Sequence, residues 1–153
     1  MASVNQVKTA LAAQIQAHTG LTTLSLMPDQ INPPIAVILP GAPYIKYGVT
    51  LGDSLIGLPH AVPVPADINL VICVFTSRAP SLERAQQSVD QYLGLEPSDT
   101  VTSIPLAIFA DPTLGRIVEY CEPLQVIAYG DIEIAGQTYF QGRISVTASV
   151  VQS

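Results

Sequence analysis

Residues 67–94 read DINLVICVFTSRAPSLERAQQSVDQYLG, and this stretch decides the fold. Ile68 to Thr76 is apolar at almost every position, with Leu70, Ile72 and Val74 on one face and Val71, Cys73 and Phe75 on the other. Strand side chains alternate, so a run apolar on both faces belongs in the middle of a sheet, with cover expected above and below. Ser77-Arg78-Ala79-Pro80 breaks the strand, because Pro80 has no N–H for a ladder. Ser81 caps a predicted helix in which Leu82, Ala85, Val89 and Tyr92 (or Leu93) recur at three- and four-residue steps, and Gly94 closes it. A buried strand followed by an amphipathic helix makes one core layer, and the flanking segments read as additions to it.

Upstream, Ser3-Val4-Asn5-Gln6 is a capping-box pattern. Val4, Val7, Leu11 and Ile15, with Ala10 beside them, form one helical stripe that ends at Gly20. His18 falls in the last turn of that helix, where it reads as a residue suited to the helix dipole and not as a catalytic group. Leu21 to Met27 is a first predicted strand. Pro33-Pro34 then fixes an extended path. Ile35 to Leu39 is a second short strand, ended by Pro40-Gly41, and Tyr44 to Leu51 alternates as a third, partly exposed one. The Pro/Gly-rich stretch 42–65 reads as a loop or arm; its part from Gly52 to Pro65 is apolar without resembling a core strand. Such a segment suits contact with a neighbouring subunit, which makes Tyr44, Tyr47, Leu55, Ile56 and Leu58 the candidate interface residues.

Downstream, Ser103 is a good N-cap for a short helix from Ile104 to Ala110, with Pro105 tolerated in its first turn. Ile117 to Gly130 and Tyr139 to Val150 read as two strands around a tight turn at Ala135-Gly136. In the last, Ile144, Val146, Ala148 and Val150 alternate with Arg143, Ser145, Thr147 and Ser149, the pattern of a half-buried antiparallel strand. The 153 residues make one domain, 1–153. The expected fold class is α+β: a mixed, mainly antiparallel sheet, an N-terminal and a central helix packed on it, and a C-terminal β-hairpin.

Charged residues make up only 12% of the chain, about half the usual share, which points to surface hidden by subunit contact. No apolar run approaches the ~20 residues of a membrane helix, so no membrane association is expected. The net charge is −6 and uneven: residues 96–153 hold seven acids against two bases, residues 1–95 five against four. A phosphate-gripping surface needs clustered Lys and Arg, and none occurs. Cys73 and Cys121 are the only cysteines. Cys73, inside the apolar strand, reads as a small hydrophobe, and neither a disulfide nor a metal site is expected. The N-terminus lacks the pattern of a signal peptide, so folding in a reducing cytoplasm is expected.

Gly52-Asp53-Ser54-Leu55 spells the nucleophile block of the GDSL esterases. That chemistry needs a histidine to take the serine proton, and no histidine follows His60. The Asp-x-x-His block of that family is missing, which leaves a GDSL-like esterase a remote alternative; no catalytic residue is assigned and an enzyme is not expected. No Gly-rich phosphate loop occurs, and two histidines make no zinc site without matching ligands, so no cofactor or metal is expected. Glu119, Glu122, Asp131 and Glu133 lie in one run bracketed by Arg116 and Arg143. Spread over a hairpin, such acids more often form a solvated face; in a ring, that face would coat a channel.

An ordered set of blocks resembles the tail terminator family of long-tailed, siphovirus-type bacteriophages. The set begins with a helix ending Thr19-Gly20-Leu21, then Ile31-Asn32-Pro33-Pro34 ahead of a strand and Thr76-Ser77-Arg78 after the apolar one. It continues with a helix ending Tyr92-Leu93, then Ala110-Asp111-Pro112-Thr113-Leu114-Gly115, and a closing hairpin with Gly130 and Tyr139. The resemblance implies a non-enzymatic virion protein of the tail and neck, assembled in the host cytoplasm. It implies a homo-oligomeric ring, typically a hexamer, on the head-proximal end of the tail tube. There the ring would stop growth of the tube protein and join the tail to the head connector protein. DNA would pass through without specific binding. Six copies at −6 each would carry −36, and an acidic lining repels phosphate. Glu119, Glu122, Asp131 and Glu133 are the candidate channel lining. A head-tail connector or head completion protein of the neck is the alternative reading.

Overall fold

The apolar run quoted above becomes the central strand of a five-stranded sheet with two neighbours of its own length class. The computed structural model describes residues 3–47 and 64–152. Within these, the elements in chain order are α1 (Val4–Thr19), β1 (Thr22–Leu24), β2 (Ile35–Tyr47), β3 (Val64–Ser77), α2 (Leu82–Leu93), α3 (Ile104–Ala110), β4 (Tyr120–Ile134) and β5 (Gln137–Gln152). The sheet order is β1-β2-β3-β5-β4. Only β1 with β2 is parallel; the other pairs are antiparallel. The fold is α+β, as the sequence indicates, with one mixed sheet, an N-terminal helix, a central helix and a C-terminal hairpin.

Local chemistry explains the helix ends. The Ser3 N–H donates to Gln6 Oε1 at 2.8 Å while the Gln6 N–H donates to Ser3 Oγ at 3.1 Å, a complete capping box. Gly20 ends α1 with φ 73° and Gly94 ends α2 with φ 80°, a conformation that suits a residue without Cβ. Ser81 and Ser103 cap α2 and α3 through Arg84 and Leu106 N–H groups. Ser103 is itself buried, so loss of its hydroxyl strands a donor. Ser103→Ala is expected to lower stability by about 1 kcal/mol, read as a fall in the urea midpoint with an unchanged slope.

All three helices lie on one face of the sheet, where the main core forms. Val7, Leu11 and Ile15 of α1, Ala85, Val89 and Leu93 of α2, and Ile104 and Ile108 of α3 pack on Ile68, Leu70, Ile72 and Val74 of β3 and on Phe140, Ile144 and Val146 of β5. Each fully buried aliphatic side chain contributes roughly 1.5–3 kcal/mol from area removed from water. Leu82, counted into the α2 stripe on spacing, is instead exposed, and Leu93 occupies the buried position.

The opposite face corrects one expectation. No helix covers it among the described residues. Cys73 and Phe75 are buried there by a small cluster of sheet residues, Ile35, Val37 and Tyr139, over which the loop after β1 folds Ile31. Phe75 and Tyr139 meet edge to face with ring centres 6.2 Å apart. This satellite core occupies one end of the face, and the other end stays polar.

The strands around Pro40-Gly41 are the second correction. The segments Ile35–Leu39 and Tyr44–Leu51 were expected as separate strands; through Tyr47 they form one, β2, and the remainder lies outside the described residues. A bulge joins them: Pro40 pairs with Leu70 and Ile45 with Ile68, so the intervening residues leave the ladder while the chain stays on the sheet. Gly41 sits so close to Asn69 that an added Cβ would meet its backbone at 3.0 Å, and Asn69 Nδ2 donates to the Pro43 carbonyl at 2.8 Å. The stretch 42–65, expected as a loop or arm, is therefore strand at both ends.

Candidate assembly surfaces

The uncovered sheet face is built by register. Asp67 and Asn69 of β3 lie opposite Ser149 and Thr147 of β5, Lys46 of β2 lies opposite Asp67, and Glu122 of β4 opposite Thr147. Directly opposed residues share a face. Ser149 Oγ donates to Asp67 Oδ1 at 2.7 Å and Thr147 Oγ1 donates to Asn69 Oδ1. Arg143 Nε donates to Gln141 Oε1 at 3.0 Å, and Ser145 Oγ to the Gln125 carbonyl at 3.3 Å. These bonds tie the polar side chains to one another and to the sheet. The charges named here are Asp67 and Glu122 against Lys46 and Arg143, a balanced set with no basic cluster to hold phosphate.

Both edges of the sheet offer apolar surface. β4 is the outermost strand at one edge, and its register steps between Pro123 and Gln125 and again between Val126 and Ala128. The residues left over at these two bulges are Leu124 and Ile127, which are 55% and 47% exposed. Bulges re-aim side chains, and here each one presents an aliphatic group outside the core. At the other edge β1 covers β2 only from Ile35 to Val37. The end of β2 carries Tyr44, Ile45 and Tyr47 on the surface, Tyr47 being 55% exposed.

The sequence candidates separate accordingly. Tyr44 and Tyr47 are exposed at the open end of β2. Leu55, Ile56 and Leu58 lie outside the described residues, as do Ser54 and His60. The four acids do not share one face. Glu122 is on the polar face; Asp131 and Glu133 pair with Phe140 and Thr138, on the helix-bearing side near the hairpin tip. Glu119 precedes β4, and its N–H donates to the Ser149 carbonyl at 2.8 Å. Asp131 also has a partner, Arg78 Nε at 3.2 Å. Both side chains are largely solvated, so the pair contributes little stability. The missed surface, Leu124 to Tyr129, carries a signal after all: residues 123–130 are uncharged, and adjacent Val126 and Ile127 interrupt the alternation as a bulge does.

Several other noted residues have structural roles. Asp111 Oδ1 accepts from the Thr113 hydroxyl at 2.7 Å and Asp111 Oδ2 from the Gly115 N–H at 2.8 Å. These bonds hold the Asp111 carboxyl below the usual carboxylate range and fix the Asp-Pro-Thr-Leu-Gly loop that buries Leu114. Cys73 and Cys121 are buried free thiols. Burial raises both, Cys121 to about 12 with help from the Glu122 charge. A thiol held protonated in this way is a poor nucleophile at neutral pH. Tyr129 donates its hydroxyl to Asp90 Oδ1 at 2.7 Å and stacks edge-on against Phe140, tying β4 to α2. No protein-family model and no curated protein matches the sequence, so the two sheet edges and the polar face are read from their own geometry.

Proposed function

We propose that the chain is a ring-forming structural subunit of a bacteriophage tail, acting as the tail terminator that its sequence blocks resemble. The observation that carries this reading is the asymmetry of the sheet: helices on one face, an opposite face that is polar beyond its small satellite core, and apolar side chains at both edges. Joined edge to edge, such sheets form a wall. The helix-bearing layer needs the larger circumference and goes outside; the polar face turns inward. Glu122, Asp67, Asn69, Thr147 and Ser149 then line the bore, and Asp131 and Glu133 fall outside it. A lining of hydroxyl, amide and balanced charge lets DNA slide without capture.

The size of the wall follows from strand count. Between its two open edges each copy is four strands wide, β2, β3, β5 and β4. Six copies give about 24 strands, and at ~4.8 Å per strand a wall roughly 115 Å around and at least ~37 Å across. Barrels of about 16–18 strands already hold an aqueous channel, whereas about 8 strands, two copies, close on their own side chains. A hexamer on the tube end would bury the edges to which another tube subunit adds, and would offer its upper rim to the head connector protein.

Loss of the gene is expected to give tails of uncontrolled length in electron micrographs of the lysate. Tails of normal length beside unjoined heads would instead assign the protein to the head-tail connector or head completion class.

A further inference from the structure

We infer that the ring closes by strand addition: Leu124–Tyr129 of β4 in one copy pairs antiparallel with Tyr44–Tyr47 of β2 in the next. The inference rests on the ring reading above and names the two segments that make it.

Most of the available edge is blunted. β1 covers the first residues of β2, and the Thr23 N–H is already given to Gln16 Oε1 at 3.2 Å. Pro40 and Pro43 lack N–H groups, so the middle of β2 is a poor template. Tyr44–Tyr47 are different. Ile45, Lys46 and Tyr47 pair with β3 on one side, and among the described residues nothing pairs with them on the other. On β4, Pro123 closes the lower part, and the outer side of Leu124–Tyr129 is likewise unpaired among the described residues. Each edge thus has an open segment that displays apolar side chains.

Direction and charge agree. β2, β3, β5 and β4 alternate in direction, so β4 runs opposite to β2 within one copy. Rotation about an axis along the strands keeps every β2 parallel to every other, and β4 therefore meets the next β2 antiparallel. β4 carries Glu122, Asp131 and Glu133 and no base, while Lys46 is the only charge in β2. The competing arrangement, β4 against β4 about a two-fold axis, joins two edges that each carry Glu122, Asp131 and Glu133 and no base. Like charge gathered on both sides of a seam disfavours that contact. The heterologous contact has no such conflict and closes a ring.

Cross-linking between two full-length variants tests this, with the buried native thiols silent. Tyr47→Cys protein and Leu124→Cys protein are mixed, allowed to assemble and treated with a short bismaleimide; Tyr44→Cys with Ile127→Cys forms a second pair. The expected result is covalent dimer in the mixtures and none from any variant alone. Equal dimer from Ile127→Cys alone would replace this contact with the two-fold one. Intact rings by native mass spectrometry with no cross-link in either mixture would reject the pairing and leave the ring standing. Wild-type protein that remains a monomer at high concentration would remove the ring reading itself.

Discussion

Placing a valine at Gly142 is expected to cost roughly 3 kcal/mol or more, the upper part of the range for overpacking a filled core. Gly142 lies on the helix-bearing face of β5, opposite Val74 and Tyr129. An added Cβ would stand 2.5 Å from Leu93 Cδ1 and 2.8 Å from Val89 Cγ1. Leu93 has some freedom to turn, but it is buried, and Val89 is β-branched and held in a helix, where its χ1 is nearly fixed. The helix must therefore lift, and the contacts of Ala85, Val89 and Leu93 weaken together. At ~2–4 °C per kcal/mol for a domain of this size, the melting temperature should fall by about 6–12 °C. Gly142→Ala should fall less, and Leu93→Ala should recover part of that loss, a coupling that a thermal-melt double-mutant cycle measures. A Gly142→Ala protein as stable as the wild type would mean that α2 does not rest on this glycine.

The second large effect is alkaline. Cys121 is fully buried, and its thiol is pushed up to about 12 from an ordinary value of 9.0, first by burial and then by the Glu122 charge. A group raised in the folded state contributes stability that is complete below its unfolded value and is lost as pH climbs toward the folded one. The window therefore opens near pH 9 and closes near pH 12. A shift of that size corresponds to roughly 4 kcal/mol at the top of the window, at 1.36 kcal/mol per pH unit. Cys121→Ala should lose about 1 kcal/mol at neutral pH, where a small cavity replaces the sulfur, yet show a shallower decline in urea midpoint at high pH. Cys73, raised by burial and partly offset by Arg143, adds to the same slope. Equal pH profiles for wild type and Cys121→Ala would show that the thiol ionises freely in the folded protein.

Local chemistry in the sequence predicted local structure well. Ser3, Ser81 and Ser103 cap the helices expected of them, Gly20 and Gly94 end theirs, and Ala135-Gly136 makes the hairpin turn with both residues at positive φ. What depends on distant pairing was harder to read. Val71, Cys73 and Phe75 implied a second covering layer, but their cover comes from Ile31 and Tyr139, far away in the chain. The bulges around Pro40-Gly41 and at Leu124 and Ile127 change register without changing composition. The separation of the acids was legible but overlooked: Glu122 and Asp131 differ in parity, and a period of two sends them to opposite faces. Tyr44 and Tyr47 were interface candidates from the sequence, while the exposed Leu124 and Ile127 of β4 needed the strand register to be recognised.

The position of β5 between β3 and β4 also sets an order of events during folding. Thr76 pairs with Phe140 and Val64 with Gln152, whereas β2 and α2, the elements beside β3 in the chain, are close at hand. One flank of the most apolar strand must therefore wait for a partner synthesised much later, and closing that long loop is an entropic cost met before any contact rewards it. Until then the nascent chain displays a sticky template of the kind chaperones shield. Arrival of β5 gives β3 its second ladder partner, after which neither of its sides is open.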